Sequence, residues 1–280
     1  MKPAIVYDGS IRDVGTAFYT RVALANIIRE DPDWYTEAGV IPVGHPFYIH
    51  VDDGRDDLSV DSIPHPWGYW AVDSHLGPEV RIEKALKADV VWCAQRPFLD
   101  TLFREGVDAH WLPLACEPLL HDAPPQEPDV DVVFVGHLQD PSVSNRIEFL
   151  DAVFKAVPAP WFEHGRFHND MAKVYRRGRI GLNHAVRDDL NMRFFELACI
   201  GVPQLADDRM VGLRELGFEK WVHYLPYSSV DEAVRVVKAE LGHDHSAMVR
   251  DASALVRANH TYTHRVEHML THIKDAGFWN

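Results

Sequence analysis

Arg193 and Glu196 stand three residues apart in the run Ile180 to Asp207, IGLNHAVRDDLNMRFFELACIGVPQLAD. On a helix that spacing puts both side chains on one face. There a guanidinium can neutralise phosphate while a carboxylate accepts two hydrogen bonds from a ribose diol, so one short helix could hold both halves of a nucleoside diphosphate. The plain alternative is an i,i+3 surface ion pair, which is common and weakly stabilising. The apolar run ending at Asn183 reads as a buried strand, Asn191 sits where a helix N-cap belongs, and Gly201 supplies a left-handed C-cap. The helix tip at Asn191, Met192 and Arg193 would then open at the carboxyl edge of a sheet, where free amide N–H groups and the helix dipole favour a diphosphate.

A second phosphate candidate follows the strand DVVFVG, which runs into HLQDPSVSNR and a helix. Gly136 lets the backbone approach closely, and Arg146 lies in the first helical turn. An ordinary βα turn with a solvated arginine explains the same residues. The nucleobase is expected near the loop after Trp161–Phe162, where Glu163, His164, Gly165 and Arg166 offer polar groups. Earlier in the chain, Gly9 to Gly15, Asp52–Asp53 and Asp73–Ser74–His75 follow apolar strands. Asp73 and His75 are candidates for a general base, since carboxylate or imidazole can take a proton; helix capping is the alternative for Asp73 and Ser74, and a turn for Asp52–Asp53. The cluster DDGRDD at 52–57 superficially suits a divalent cation. It reads instead as a solvated loop, and no metal is expected, because a helix terminus and arginines can neutralise a leaving diphosphate.

These residues need a scaffold, and the hydrophobic pattern describes one. Short β-branched runs alternate with helix-period segments: Ala4–Tyr7, Gly15–Arg29, Phe47–Val51, Trp67–Val72, Pro78–Lys87, Asp89–Ala94, Pro97–Glu105 and Ala109–Leu114. That is the signature of βα units on a parallel sheet. HDAPPQEPD, residues 121–129, reads as a linker, since its three prolines suit neither a helix interior nor a central strand. Beyond it the alternation resumes: Val130–Val135, a helix from Ser144 to Ala156, Trp161–Phe162, a helix over Asn169–Arg177, Ile180–Asn183, Met192–Ile200, Val202–Ala206, a helix near Val211–Leu216, a strand at Val222–Leu225 and a helix over Val230–Leu241. One or two helices close the chain, with Phe278 and Trp279 as packing anchors. The expected fold is α/β with two doubly wound, Rossmann-like domains, 1–120 and 129–258, and a terminal helix over 259–280.

Composition narrows the partners. With 42 acidic against 28 basic residues the formal charge is -14, which disfavours a nonspecific hold on a polyphosphate or an anionic membrane; a nucleic acid acceptor is not expected. The 17 histidines are scattered without metal-ligand spacing, and the three cysteines form no CxxC pair, so a reduced, cytoplasmic setting is expected. The opening apolar run stops at Asp8, short of a signal-peptide core, and no stretch approaches the roughly 20 apolar residues of a membrane span.

The run NMRFFELACIGVPQLAD, with LNHA before it and GLREL after it, resembles the sugar-nucleotide motif of GT-B glycosyltransferases, particularly the group related to the spore-maturation protein CgeB. FYIHVDDG, GYWAVDSHLGPEVRIEKALKADVVWCAQ, HWLPLACEP and DVVFVGHL look like blocks of that group in the same order, and the likeness covers most of residues 47–216. It implies a metal-independent GT-B enzyme that needs no cofactor. It also implies a nucleotide-sugar donor, most simply UDP-linked, an acceptor hydroxyl, Glu196 on the donor ribose, and a C-terminal helix crossing back to the N-terminal domain. Related retaining families carry a second glutamate seven residues earlier; this chain has Asp188 or Asp189 there, which leaves the stereochemistry open. A non-catalytic nucleotide-binding relative in a surface or spore coat, or a sugar-nucleotide epimerase, would share the architecture.

Overall fold

The computed structural model describes residues 2–52, 54, 59–74, 77–138, 144–185, 187 and 189–279. The chain divides into two compact units, residues 1–114 with 262–280, and residues 115–261.

The first unit runs β1 (Ala4–Tyr7), α1 (Thr16–Ile28), β2 (Trp34–Thr36), β3 (Tyr48–Val51), β4 (Trp67–Ala71), α2 (Pro78–Lys87), β5 (Val90–Cys93), a 3-10 turn at Arg96–Phe98, α3 (Leu99–Arg104) and β6 (Ala109–Trp111). Its six strands are parallel, in the order β2-β1-β3-β4-β5-β6. Every residue of β1, β3, β4 and β5 is buried, which is why these strands read as continuous apolar runs rather than as alternation.

The second unit runs β7 (Val130–Val135), α4 (Ser144–Lys155), β8 (Pro160–Glu163), α5 (His168–Arg176), β9 (Gly178–Asn183), α6 (Met192–Ile200), β10 (Gln204–Asp207), β11 (Leu225–Tyr227), α7 (Val230–Glu240) and α8 (Ser246–Asn259). Its five strands are parallel in the order β11-β10-β9-β7-β8. The final helix, α9 (Tyr262–Asp275), belongs to the first unit, where Tyr262 lies 5.1 Å from the Tyr19 ring of α1 and Phe278 lies 5.8 Å from Phe47.

Three local expectations need correction. Residues 211–217 form successive turns rather than a helix: Gly212 takes φ +106°, which breaks a right-handed helix, and Leu216 N–H is shared between the carbonyls of Gly212 and Leu213. The strand expected at Val222–Leu225 begins only at Leu225, because Val222 N–H and His223 N–H are held by Glu219 O in a turn. Strand β2 carries no apolar alternation and was not anticipated; it pairs only with β1, at the sheet edge.

In each sheet the chain reverses its direction of travel once, between β1 and β3 in the first and between β7 and β9 in the second. Loops leaving two such neighbouring parallel strands diverge and open a crevice at their carboxyl ends, the usual place for a ligand in a doubly wound sheet.

Candidate nucleotide-sugar site

In the second unit the helices that follow β7 and β9, the two strands at the reversal, bring two arginines together. Arg193, in the first turn of α6, sets its guanidinium 4.7 Å from the centroid of the Phe134 ring, and Arg146, from α4, sets its own 5.5 Å from it. Among the described residues neither makes an ion pair with a carboxylate, and the Nε atom of each is buried without a hydrogen-bond partner. Burial, then the neighbouring Arg193 charge, pushes Arg146 down to about 10. Gly136 follows β7 directly, and a Cβ there would stand 3.0 Å from Arg193 Nη2 and 2.9 Å from Phe134 Cε1. A side chain at this position would have to displace the Phe134 ring edge or the Arg193 guanidinium.

The α6 tip is built as the sequence implies. Asn191 Oδ1 accepts from Phe194 N–H at 3.2 Å, and Gly201 closes the helix in the left-handed conformation with φ +79°. Met192 at the first helical position is half-buried. Glu196 is only 5% exposed, so it is no partner in a surface ion pair with Arg193. Its carboxyl lies 3.3 Å from His121 Nε2, and burial pushes it up to about 7 against the opposing influence of Arg193 and His168. A buried carboxylate with little protein hydrogen bonding is suited to accept from a ligand's hydroxyls.

His164 is exposed in the loop after β8, with its ring 6.5 Å from that of Phe162, which in turn stacks on Phe134. The loop is tied to the site by Gly136 N–H donating to Glu163 O, while the Glu163 carboxylate is engaged by Arg166. Three polar residues at the crevice escaped the sequence reading. Asn183, the last residue of β9, is fully buried with neither amide atom partnered. His184 stacks on Phe149 at 4.5 Å and contacts Tyr227 Oη through Nδ1 at 2.7 Å; burial pushes it down to about 4, so the ring is neutral. Two polar residues ending an apolar strand were the available signal. His121 gave none, since it lies in what reads as a linker.

In the first unit Asp73 follows β4 half-buried, with φ +53°. Ser74 donates through both N–H and Oγ to Gln95 Oε1, at 3.3 and 3.1 Å, so it is fixed by a side chain of the neighbouring strand's loop. His75 and Asp53 lie outside the described residues, as does Asp188. Asp52 is fully buried: it accepts from Tyr69 Oη and Gly54 N–H, and Arg81 Nε stands 3.1 Å away. Close by, Asp8, Glu37 and His50 bring one ligand atom each within 4.8 Å of the others, a spacing a metal ion could use. Lys84 Nζ already stands 3.2 Å from Glu37 and 3.8 Å from Asp8, and His50 Nε2 lies 2.5 Å from Glu37, so a cationic side chain supplies the neutralising charge.

Two parallel doubly wound units, one of them with two adjacent arginines beside a capped helix, have the GT-B glycosyltransferase architecture. Residues 117–271, more than half the chain, match the family described as glycosyl transferase-like, and the protein belongs to that family. Comparison with solved structures gives the same fold. HepE of Anabaena, solved with UDP and glucose, superposes with a TM-score of 0.70 at 10% identity, covering 98% of this chain and 100% of its own. Sucrose-phosphate synthase of Thermosynechococcus elongatus gives 0.67 at 12% identity, with 98% and 99% covered. TarM, whose liganded form is from S. aureus, gives 0.57 at 12%, covering 80% of this chain and 54% of its own. No curated protein sequence matches the chain. Among the described residues no helix is long and apolar enough to cross a membrane.

Proposed function

We propose that this glycosyltransferase moves a sugar from a UDP-linked donor to an acceptor hydroxyl without a metal ion, in the manner of the CgeB-related group. The observation that carries the reading is the pair Arg146 and Arg193, two guanidinium groups over one ring with no carboxylate partner among the described residues. Two cations gathered at the switch point of a parallel sheet, in a chain of net charge -14, suit a ligand of two negative charges. A diphosphate fits, with its oxygens also reaching the amide groups at Asn191 and Met192.

In this reading Glu196 accepts from the ribose diol, Gly136 lets the diphosphate approach the backbone, and the His164 loop faces the base. Transfer breaks the bond between the anomeric carbon and the β-phosphate oxygen and forms a bond from that carbon to the acceptor oxygen. The acceptor's proton passes to Asp73, with His75 beside it in sequence. The arginines and the helix terminus stabilise the charge that develops on the departing UDP, the role a divalent cation fills elsewhere. HepE, solved in complex with UDP-glucose, lends the choice of uridine its support.

The experiment is turnover of UDP-glucose and UDP-GlcNAc followed by released UDP, with and without EDTA, alongside a UDP co-crystal. Release that survives EDTA, with UDP between Arg146 and Glu196, is the expected result. Binding with no release favours a non-catalytic relative, and acceptor-independent conversion of UDP-GlcNAc favours an epimerase. Absence of any thermal shift with UDP overturns the reading.

A further inference from the structure

The turn from Glu117 to His121 is closed twice. His121 N–H donates to Glu117 O at 2.8 Å, and Glu117 N–H donates to the ring nitrogen His121 Nδ1 at 3.1 Å. The second bond fixes the tautomer: a nitrogen that accepts carries no proton in the neutral ring, so the proton resides on Nε2. That Nε2 stands 3.3 Å from Glu196 Oε1, and both side chains are interior, His121 fully buried and Glu196 nearly so. Burial pushes His121 down to about 4, so the imidazole presents an N–H dipole rather than a charge across the ordinary pH range.

We propose that His121 is a positioning residue for ribose recognition, whose Nε2–H steadies the Glu196 carboxylate in its ionised form and orients it toward the ribose diol. The inference rests on the reading of Glu196 as the ribose ligand. The charged and titratable groups acting on Glu196 are Arg193, one turn earlier on α6, and His168 on α5, which also carries Tyr175. Glu117, whose own carboxyl is raised by burial, sits at the start of the His121 turn. From the other elements packed on α6, Arg257 of α8 is bonded to Cys199 O, and Asp207 of β10 is paired with Arg209. His121 Nε2 lies 3.3 Å from the carboxylate, and removing it takes an N–H dipole away from the charged form of Glu196, which shifts its ionisation to higher pH.

Calorimetric binding of UDP, 2′-deoxy-UDP and 3′-deoxy-UDP to the full chain from pH 6 to pH 9 tests this. The wild type is expected to prefer UDP over the deoxy ligands by about 10-fold at pH 7. His121→Leu should lose most of that preference at pH 7 and recover it toward pH 9, while His121→Gln, which still offers an amide N–H, should keep the wild-type profile. If His121→Leu does not fold, His121→Asn, whose amide is too short to reach, should show the same upward displacement. A preference lost equally at every pH, or unchanged in both His121→Leu and His121→Asn, overturns the proposal. A wild type that does not distinguish UDP from the deoxy ligands overturns the ribose assignment itself, whatever the variants do.

Discussion

Arg146 and Arg193 both set their guanidinium groups against the Phe134 ring, two like charges with no ion pair to a carboxylate among the described residues. The arrangement is unfavourable in the free protein, and a bound dianion removes the cost. Arg146→Met should therefore leave the unliganded protein as stable as the wild type or slightly more so, while weakening UDP by about 10- to 100-fold. Differential scanning fluorimetry with and without UDP reads both effects; an Arg146→Met protein that melts lower alone yet gains as much from UDP as the wild type would show the arginine to be structural.

Glu196 gives a pH dependence of opposite sign for stability and binding. Its carboxyl is raised by burial to about 7 from an ordinary 4.5, so between those values the folded state holds a proton that the unfolded state has lost. Its contribution to stability is thus full below about 4.5 and disappears as the pH rises to about 7, a difference of roughly 3 kcal/mol. Binding of a ribose diol needs the carboxylate and should weaken as pH falls below about 7. Denaturant unfolding of wild type and Glu196→Gln at pH 5 and pH 8 isolates the group: the glutamine variant should gain relative to wild type on going to pH 8. An unchanged difference between the two pH values contradicts the assignment.

Gly136→Ala should damage binding more than folding. The new methyl would meet the mobile end of Arg193 and the edge of Phe134, and of the two the guanidinium moves more cheaply. Displacing it removes one charge-assisted contact, so UDP affinity should fall by about 10-fold while stability changes by about 1 kcal/mol. Titration with UDP alongside a thermal melt separates these, and equal affinity for the alanine variant would mean that the ligand does not use Arg193.

Asp52 makes the contrasting case. Its carboxylate is fully buried among Tyr69, Gly54 and Arg81, so Asp52→Ala removes a buried charge facing the Arg81 guanidinium and should cost about 3–5 kcal/mol. Because these contacts lie within the first unit, UDP affinity measured below the melting temperature should not change. A large loss of affinity in a folded Asp52→Ala protein would show this residue to be a ligand-binding group after all.

The sequence was most informative where local rules and the fold agree. Asn191 and Gly201 bracket α6 because a cap needs only its neighbours, and the buried strands declare themselves as unbroken apolar runs. It was least informative where position depends on distant partners. β2 forms only because β1 offers an edge, and Gly212 turned a helical pattern into turns by its own backbone angle. That Arg193 and Glu196 lie on one helix was legible from their spacing. That His121 reaches Glu196 is not, because the two stand 75 positions apart in the chain and only the tertiary fold closes the gap.

Asp73 occupies a left-handed backbone conformation with φ +53°, which costs most residues about 1 kcal/mol but which asparagine and aspartate tolerate. That distinction separates the two roles a side chain can have there. Asp73→Asn keeps the backbone preference and removes the proton acceptor, so it should leave the melting temperature and UDP affinity unchanged while lowering glycosyl transfer by about 100-fold or more. Asp73→Ala should lose the same activity and about 1 kcal/mol of stability besides. Were the residue only a turn former, Asp73→Asn would transfer sugar at the wild-type rate and Asp73→Ala would fail in proportion to its lost stability, so the asparagine variant alone decides between chemistry and conformation.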